Sequence, residues 1–209
     1  MDFFNAVTSQ GTVKKYEKKD VDDKLIGVML FMANHADSAG NLQPWEFIVV
    51  KDPDTKQRLH KAAFKIDVVR DALVDIVVCA DLKKATLKYE ERGERIYAVQ
   101  DTAGAITIMM ITAEILGLGA NWIRTFDEDD VKTTLGLPND VRPFGIITLG
   151  YPSDKSPKKN HKAFESMTSL DVFKKKYDIS YMYQLGPKEE VFKPLVNQIM
   201  DKMKKKERH

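Results

Sequence analysis

The stretch Thr102 to Leu118, T-A-G-A-I-T-I-M-M-I-T-A-E-I-L-G-L, constrains this chain more than any other. It is apolar around nearly its whole circumference, so a helix built from it has no face suited to water. It is short for a membrane span and carries Glu114. The expectation is a central helix buried in a core or a subunit interface, in a protein with no membrane association. A chain of 209 residues that is 43% hydrophobic and 31% charged can fold a sizeable core around such a helix.

The segments on either side supply short helices and strands. Residues 2 to 9 read as a helix with Phe3, Phe4, Ala6 and Val7 on its apolar side. Val21 to Ala36 places Val21, Leu25, Val28, Met29, Met32 and Ala33 at helical spacing, with Asp20, Asp22 and Asp23 at its positive end. Asp52-Pro53 opens a third helix running to about Phe64, and Asp127 opens a fourth that stops at Gly136. Phe47 to Val50, Leu73 to Ala80 and Phe144 to Pro152 read as strands. Lys83 to Arg95 is highly charged and reads as a solvated connection into the central helix. Together these predict an α+β fold, a mixed sheet of about five short strands flanked by helices.

Composition excludes several functions. The net charge of +2 from 33 basic and 31 acidic residues offers no general basis for nucleic-acid binding. Four scattered histidines and the single Cys79 show no metal-ligand spacing, so no metal is expected, and Cys79 reads as a small core residue. The opening M-D-F-F-N-A-V has no basic stretch ahead of an apolar core. The expectation is therefore no signal peptide and a cytoplasmic location.

Two polar stretches are candidates for chemistry. Asp37 to Phe47 reads D-S-A-G-N-L-Q-P-W-E-F. Ser38, Gly40 and Asn41 suit a tight turn, Gln43 brings an amide that donates and accepts, and Pro44 is expected to hold Gln43 extended. Such a loop, between a helix and a strand, can read the polar edge of a flat heterocycle or simply connect. Ser9 to Tyr16, S-Q-G-T-V-K-K-Y, is by residue type a basic surface turn that can also hold a phosphate.

The first of these strings resembles the S-x-x-N-x-Q-P-W-x-F signature of the nitroreductase family. Gly117 to Asp127, G-L-G-A-N-W-I-R-T-F-D, is similar to that family's G-L-G-S-C-W-I-G-G-F-D, and Phe144 to Pro152 to its L-G-Y-P strand. The resemblance spans roughly residues 1 to 165. It implies an intertwined homodimer that holds FMN at its interface and passes electrons from NADH or NADPH to a nitroaromatic, a quinone or another small acceptor. No protein acid or base is required, so no catalytic residue is nominated.

The resemblance places the cofactor against Gln10, Thr12, Lys14, Ser38, Gly40, Asn41, Gln43, Ile66, Arg124, Thr125, Lys159 and His161. At several of these the chain departs from the family pattern. Two basic positions are Gln10 and Gly11. A polar position is Ile66, beside Lys65. Two glycines are Arg124 and Thr125, and an arginine is His161. The alternative reading is a family scaffold with weak or altered flavin binding and a non-redox role. Residues 1 to 169 form the expected domain. Residues 170 to 209, with a helix over Glu189 to Lys205, form an extension packing on it or on the partner subunit.

Overall fold

The structure is a computed structural model and describes residues 1–154 and 161–178. The chain divides into two compact units, Met1–Lys158 and Lys159–His209. The expected helix over Glu189 to Lys205 lies outside the described residues.

The first unit is built on four strands: β1 (Trp45–Val50), β2 (Val74–Asp81), β3 (Gly119–Ile123) and β4 (Val141–Gly150). They lie in the order β1-β2-β4-β3, and every pairing is antiparallel. The expected mixed sheet is therefore, among the described residues, antiparallel throughout, and it has four strands rather than about five. The run Leu73 to Ala80 is apolar without alternation because β2 is a central strand covered on both faces. β3 is not among the strands read from the sequence. Its glycine-flanked sequence hides a short edge strand paired with β4 from Gly119–Gly150 to Ile123–Ile146.

Helices cover both faces. α1 (Phe3–Ser9), α2 (Asp23–Ala33) and α7 (Ala98–Ile115) lie on one side. There Met29, Ala33, Ile106 and Met109 pack on Val74, Ile76, Val78, Ile147 and Leu149. α3 (Pro53–Ala62) and α8 (Glu128–Leu135) cover the other side with the short α4 (Asp67–Asp71). There Leu59, Ala62, Val69 and Val131 meet Val50, Val77, Cys79 and Ile146. The caps are those the sequence predicts. The Asp52 carboxylate accepts from Thr55 N–H, and that of Asp127 from Asp130 N–H. Gly136 ends α8 in the left-handed conformation.

The charged stretch after β2 is folded rather than open. α5 (Leu82–Thr86), a turn at Leu87–Tyr89, α6 (Glu90–Arg92) and a π turn (Gly93–Tyr97) form a helical hairpin that runs straight into α7. The central helix thus begins four residues before the expected Thr102. Its buried side is Ala98, Asp101, Thr102, Ala105, Ile106, Met109, Thr112 and Ala113. Val99 and Ile115 stay exposed, as do Val28, Phe31 and Met32 of α2 and Phe3, Phe4 and Val7 of α1. By length and composition the run Glu90–Ile115 could cross a membrane. Here its buried side lies on the sheet as a core helix does.

Inside the second cover lies a buried ion pair. Lys56 of α3 donates to Asp75 of β2 at 2.9 Å and to the Val69 carbonyl at 3.1 Å. Burial pushes the Asp75 carboxyl from 3.8 up to about 7, against the pull of the Lys56 ammonium. The folded chain thus keeps a proton there at pH values where the unfolded chain has lost it. This group's contribution to stability is complete below about pH 4 and is lost as pH rises through about 7. Urea unfolding between pH 5 and 8 should show the wild-type midpoint falling with pH, and Asp75→Asn should flatten that fall.

Candidate active site

The first site element is an extended strap, residues 10–16, laid across one end of the sheet. Asn121, buried in the middle of β3, holds it. Its side-chain oxygen accepts from Val13 N–H at 2.9 Å, and its side-chain nitrogen donates to the Val13 carbonyl at 2.9 Å. One amide side chain thus does for Val13 what a neighbouring strand would do. Tyr16 closes the strap. Its hydroxyl lies 2.7 Å from Thr148 Oγ1 and accepts from Asn121 Nδ2 at 3.3 Å, and burial drives its pKa far above the ordinary tyrosine value. With Val13 buried beneath, Thr12 and Lys14 are exposed on the strap. Lys14 has no ion pair among the described residues. Gln10 is half-buried, and its side-chain nitrogen is buried without a hydrogen-bond partner.

The second element is the polar loop ahead of β1. Ser38 leads into a single 3-10 turn, Ala39–Asn41. Gly40 and Asn41 both have φ near +58°, and Gln43 has φ +48°. Gln43 is therefore left-handed, not extended as Pro44 alone predicts. The reason is a local bond, because Ser38 Oγ accepts from Gln43 N–H at 3.1 Å. The Gln43 side-chain nitrogen donates to Asn41 Oδ1 at 2.7 Å, which leaves the Gln43 carbonyl oxygen and the Asn41 nitrogen for a ligand. Left-handed backbone costs a residue with a side chain about 1–2 kcal/mol, less for asparagine. Outside contacts offset that cost. The buried carboxylate of Asp101 accepts from Ala39 N–H at 3.2 and 3.3 Å, and Lys88 donates to the Gly40 carbonyl at 2.8 Å. Burial raises the Asp101 pKa, and Asp37 adds to the rise against the bond from Ala39.

The third element follows β3. Trp122 is half-buried in the core beneath α7 and Phe126 in the core beneath α3 and α8. Arg124 and Thr125 are exposed, and the Arg124 guanidinium stacks 3.6 Å from the Trp122 ring centroid. Ile66 stands ahead of α4 and packs, half-buried, on the core beneath α3, so it offers a ligand no polar group. Lys159 lies outside the described residues. His161 belongs to the second unit, where it is exposed.

One chain does not bring these elements together. The strap lies where Gly119 pairs with Gly150 and Leu149 with Val74, whereas the polar loop enters at Trp45, opposite Ala80. Along β2 that is six residues, roughly 20 Å. The holding residues Tyr16, Asn121, Thr148, Lys88 and Asp101 were not among the sequence candidates. Their signal is polarity out of place, an asparagine inside a strand and a carboxylate in the first turn of an apolar helix.

FMN's fit can be judged from these donors. A buried Gln10 nitrogen without a partner and a Lys14 ammonium without an ion pair among the described residues, both on one strap, suit a phosphate-bearing ligand, and the amide pair of Asn41 and Gln43 suits a polar ring edge. The residues present fit the cofactor.

Known proteins agree with this architecture. The model of the nitroreductase family matches residues 7–67 and 64–151. The chain is 31% identical over 182 residues to the NADH dehydrogenase of Thermus thermophilus, covering 74% of this chain and 89% of that protein. It is 26% identical over 166 residues to the FMN reductase (NADPH) of Bacillus subtilis, covering 73% and 67%. A nitroreductase family protein from Clostridium difficile has the same fold, with a TM-score of 0.74 at 24% identity over 83% of this chain and 100% of that one. With the family model running from within α1 through β4, the chain belongs to the nitroreductase family.

Proposed function

We propose that this protein is an FMN-dependent oxidoreductase that takes electrons from NADH or NADPH and passes them to a small acceptor such as a nitroaromatic or a quinone. The observation that carries the proposal is the strap, where Gln10 Nε2 is buried and unpartnered beside Thr12 and Lys14. FMN, when bound, supplies the chemistry of taking up a hydride and releasing electrons. The protein's share is binding and orientation. Gln10, Thr12 and Lys14 hold the phosphate end. The Asn41 nitrogen and Gln43 oxygen read the polar edge of the ring. Backbone N–H groups at Arg124 and Thr125 would serve the reactive edge.

The two site halves stand roughly 20 Å apart on one sheet, which supports a cofactor site completed by a second copy of the chain. The exposed apolar residues of α1, α2 and α7, Phe3, Phe31 and Met32 among them, supply a surface for that copy. A homodimer is accordingly part of the proposal.

The test is an absorption spectrum of purified protein after incubation with FMN and removal of free cofactor. Stoichiometric flavin, bleached by NADH or NADPH, is the expected result. A folded protein that retains no flavin would overturn the proposal in favour of a non-redox role. Lys14→Glu should weaken FMN binding at least tenfold in a fluorescence titration, because it sets a negative charge against the phosphate.

A further inference from the structure

The tip of the charged hairpin rests on the polar loop. Besides the bond from Lys88 Nζ to the Gly40 carbonyl, the Tyr89 ring packs against Gly40 itself. A Cβ there would stand 2.8 Å from the Tyr89 hydroxyl and 3.1 Å from Lys88 Cδ. A side chain at position 40 would therefore push the Tyr89 hydroxyl and the Lys88 chain aside, in addition to the strain of its positive φ. The tip is not a loose end. Tyr89 meets Tyr97 edge to face, with centroids 4.9 Å apart. Arg92 Nε donates to the Tyr97 hydroxyl at 2.9 Å. At the base of the hairpin Gly93 lies so close to α5 that a Cβ would fall 2.0 Å from the Ala85 carbonyl oxygen.

We infer that Lys88 and Tyr89 are a latch that holds the polar loop in its left-handed form, and so are positioning residues for the ligand groups of Asn41 and Gln43. Gly40 takes its positive φ freely, but Asn41 and Gln43 carry side chains, and left-handed residues of that kind persist only where surrounding structure over-determines them. The Ser38–Gln43 bond fixes the end of the loop and Asp101 its start. The middle, Gly40–Asn41, has the bonds of its own 3-10 turn, from Asn41 N–H to the Ser38 carbonyl at 3.0 Å and from Leu42 N–H to the Ala39 carbonyl at 3.2 Å, and is braced from outside by the hairpin tip. Lys88 is suited to that role because its charge is directed at a carbonyl and, among the described residues, at no carboxylate. Released from the tip, Asn41 relaxes toward ordinary backbone, and the paired amides lose their common orientation. The role in cofactor binding rests on the flavin reading proposed above. The effect on the loop does not.

The experiment uses the full-length protein in two arms. In the first, hydrogen exchange followed by mass spectrometry compares wild type with Lys88→Met, Tyr89→Ala and the double variant. Exchange of the Ser38–Gln43 amides should quicken about fivefold or more in the double variant, with β4 amides unchanged, and Lys88→Arg should keep wild-type rates. In the second arm FMN is titrated by flavin fluorescence, and the double variant should bind about fivefold or more weakly, again with Lys88→Arg near wild type. Unchanged loop exchange overturns the latch, and so does quickening that extends equally to β4. Faster loop exchange with unaltered FMN affinity overturns the positioning role. If wild type takes up no FMN, the flavin reading fails while the exchange arm still decides the latch.

Discussion

Lys56→Met should cost about 3–5 kcal/mol of folding stability at pH 8, because it strands the buried Asp75 carboxylate. The ammonium it removes also serves the Val69 carbonyl, so a buried backbone acceptor is orphaned as well. Two further measurements separate charge from packing. At pH 5.5 the cost should shrink, since an Asp75 carboxyl already pushed up to about 7 takes a proton and no longer needs a cation. The double variant Lys56→Met/Asp75→Leu should recover much of the loss, as buried ion pairs replaced by apolar groups often do. Urea unfolding at the two pH values reads all three. A pH-independent cost, or a double variant no better than the single, would refute this account.

Asn121→Leu is the second large effect. It deprives the buried Val13 N–H and carbonyl of their partners and removes a donor to the Tyr16 hydroxyl. Each buried group left unpaired costs about 1–3 kcal/mol. A net loss of about 2–4 kcal/mol is expected, since a freed strap can turn to water. The local signature is more telling than the total. The Val13 amide should lose its protection from exchange while β2 amides keep theirs, and FMN affinity should fall with it. A loss of stability without local exposure of the strap would argue against the clamp.

Much of the fold was readable from residue order, for reasons the structure makes plain. Aspartates ahead of α3 and α8 cap them as their spacing predicts, because capping is a local bond within one turn. β2 and β4 were visible as unbroken apolar runs because both faces of a central strand are covered. β3 was not, because a five-residue edge strand has too few positions to show a period. Strand order and direction depend on pairings between distant segments, which a mixed sheet of about five strands guessed only in outline.

In the site, the strings of the polar loop and of the segment after β3 were legible. The groups that hold them were not, since Asn121 meets Val13, and Lys88 meets Gly40, only after the chain has folded. The Gln43 conformation shows the same limit. A proline neighbour alone argues for extended backbone, and one hydroxyl five residues earlier reverses it.

The amide clamp also sets a timetable. Val13 and Asn121 are separated by 108 residues, so the strap cannot seat until more than half of the chain has been made. At translation rates of about 5–20 residues per second, that interval is roughly 5–20 s. Throughout it the nascent N-terminus must wait without its partner, and the strap takes its place only after β3 has been made.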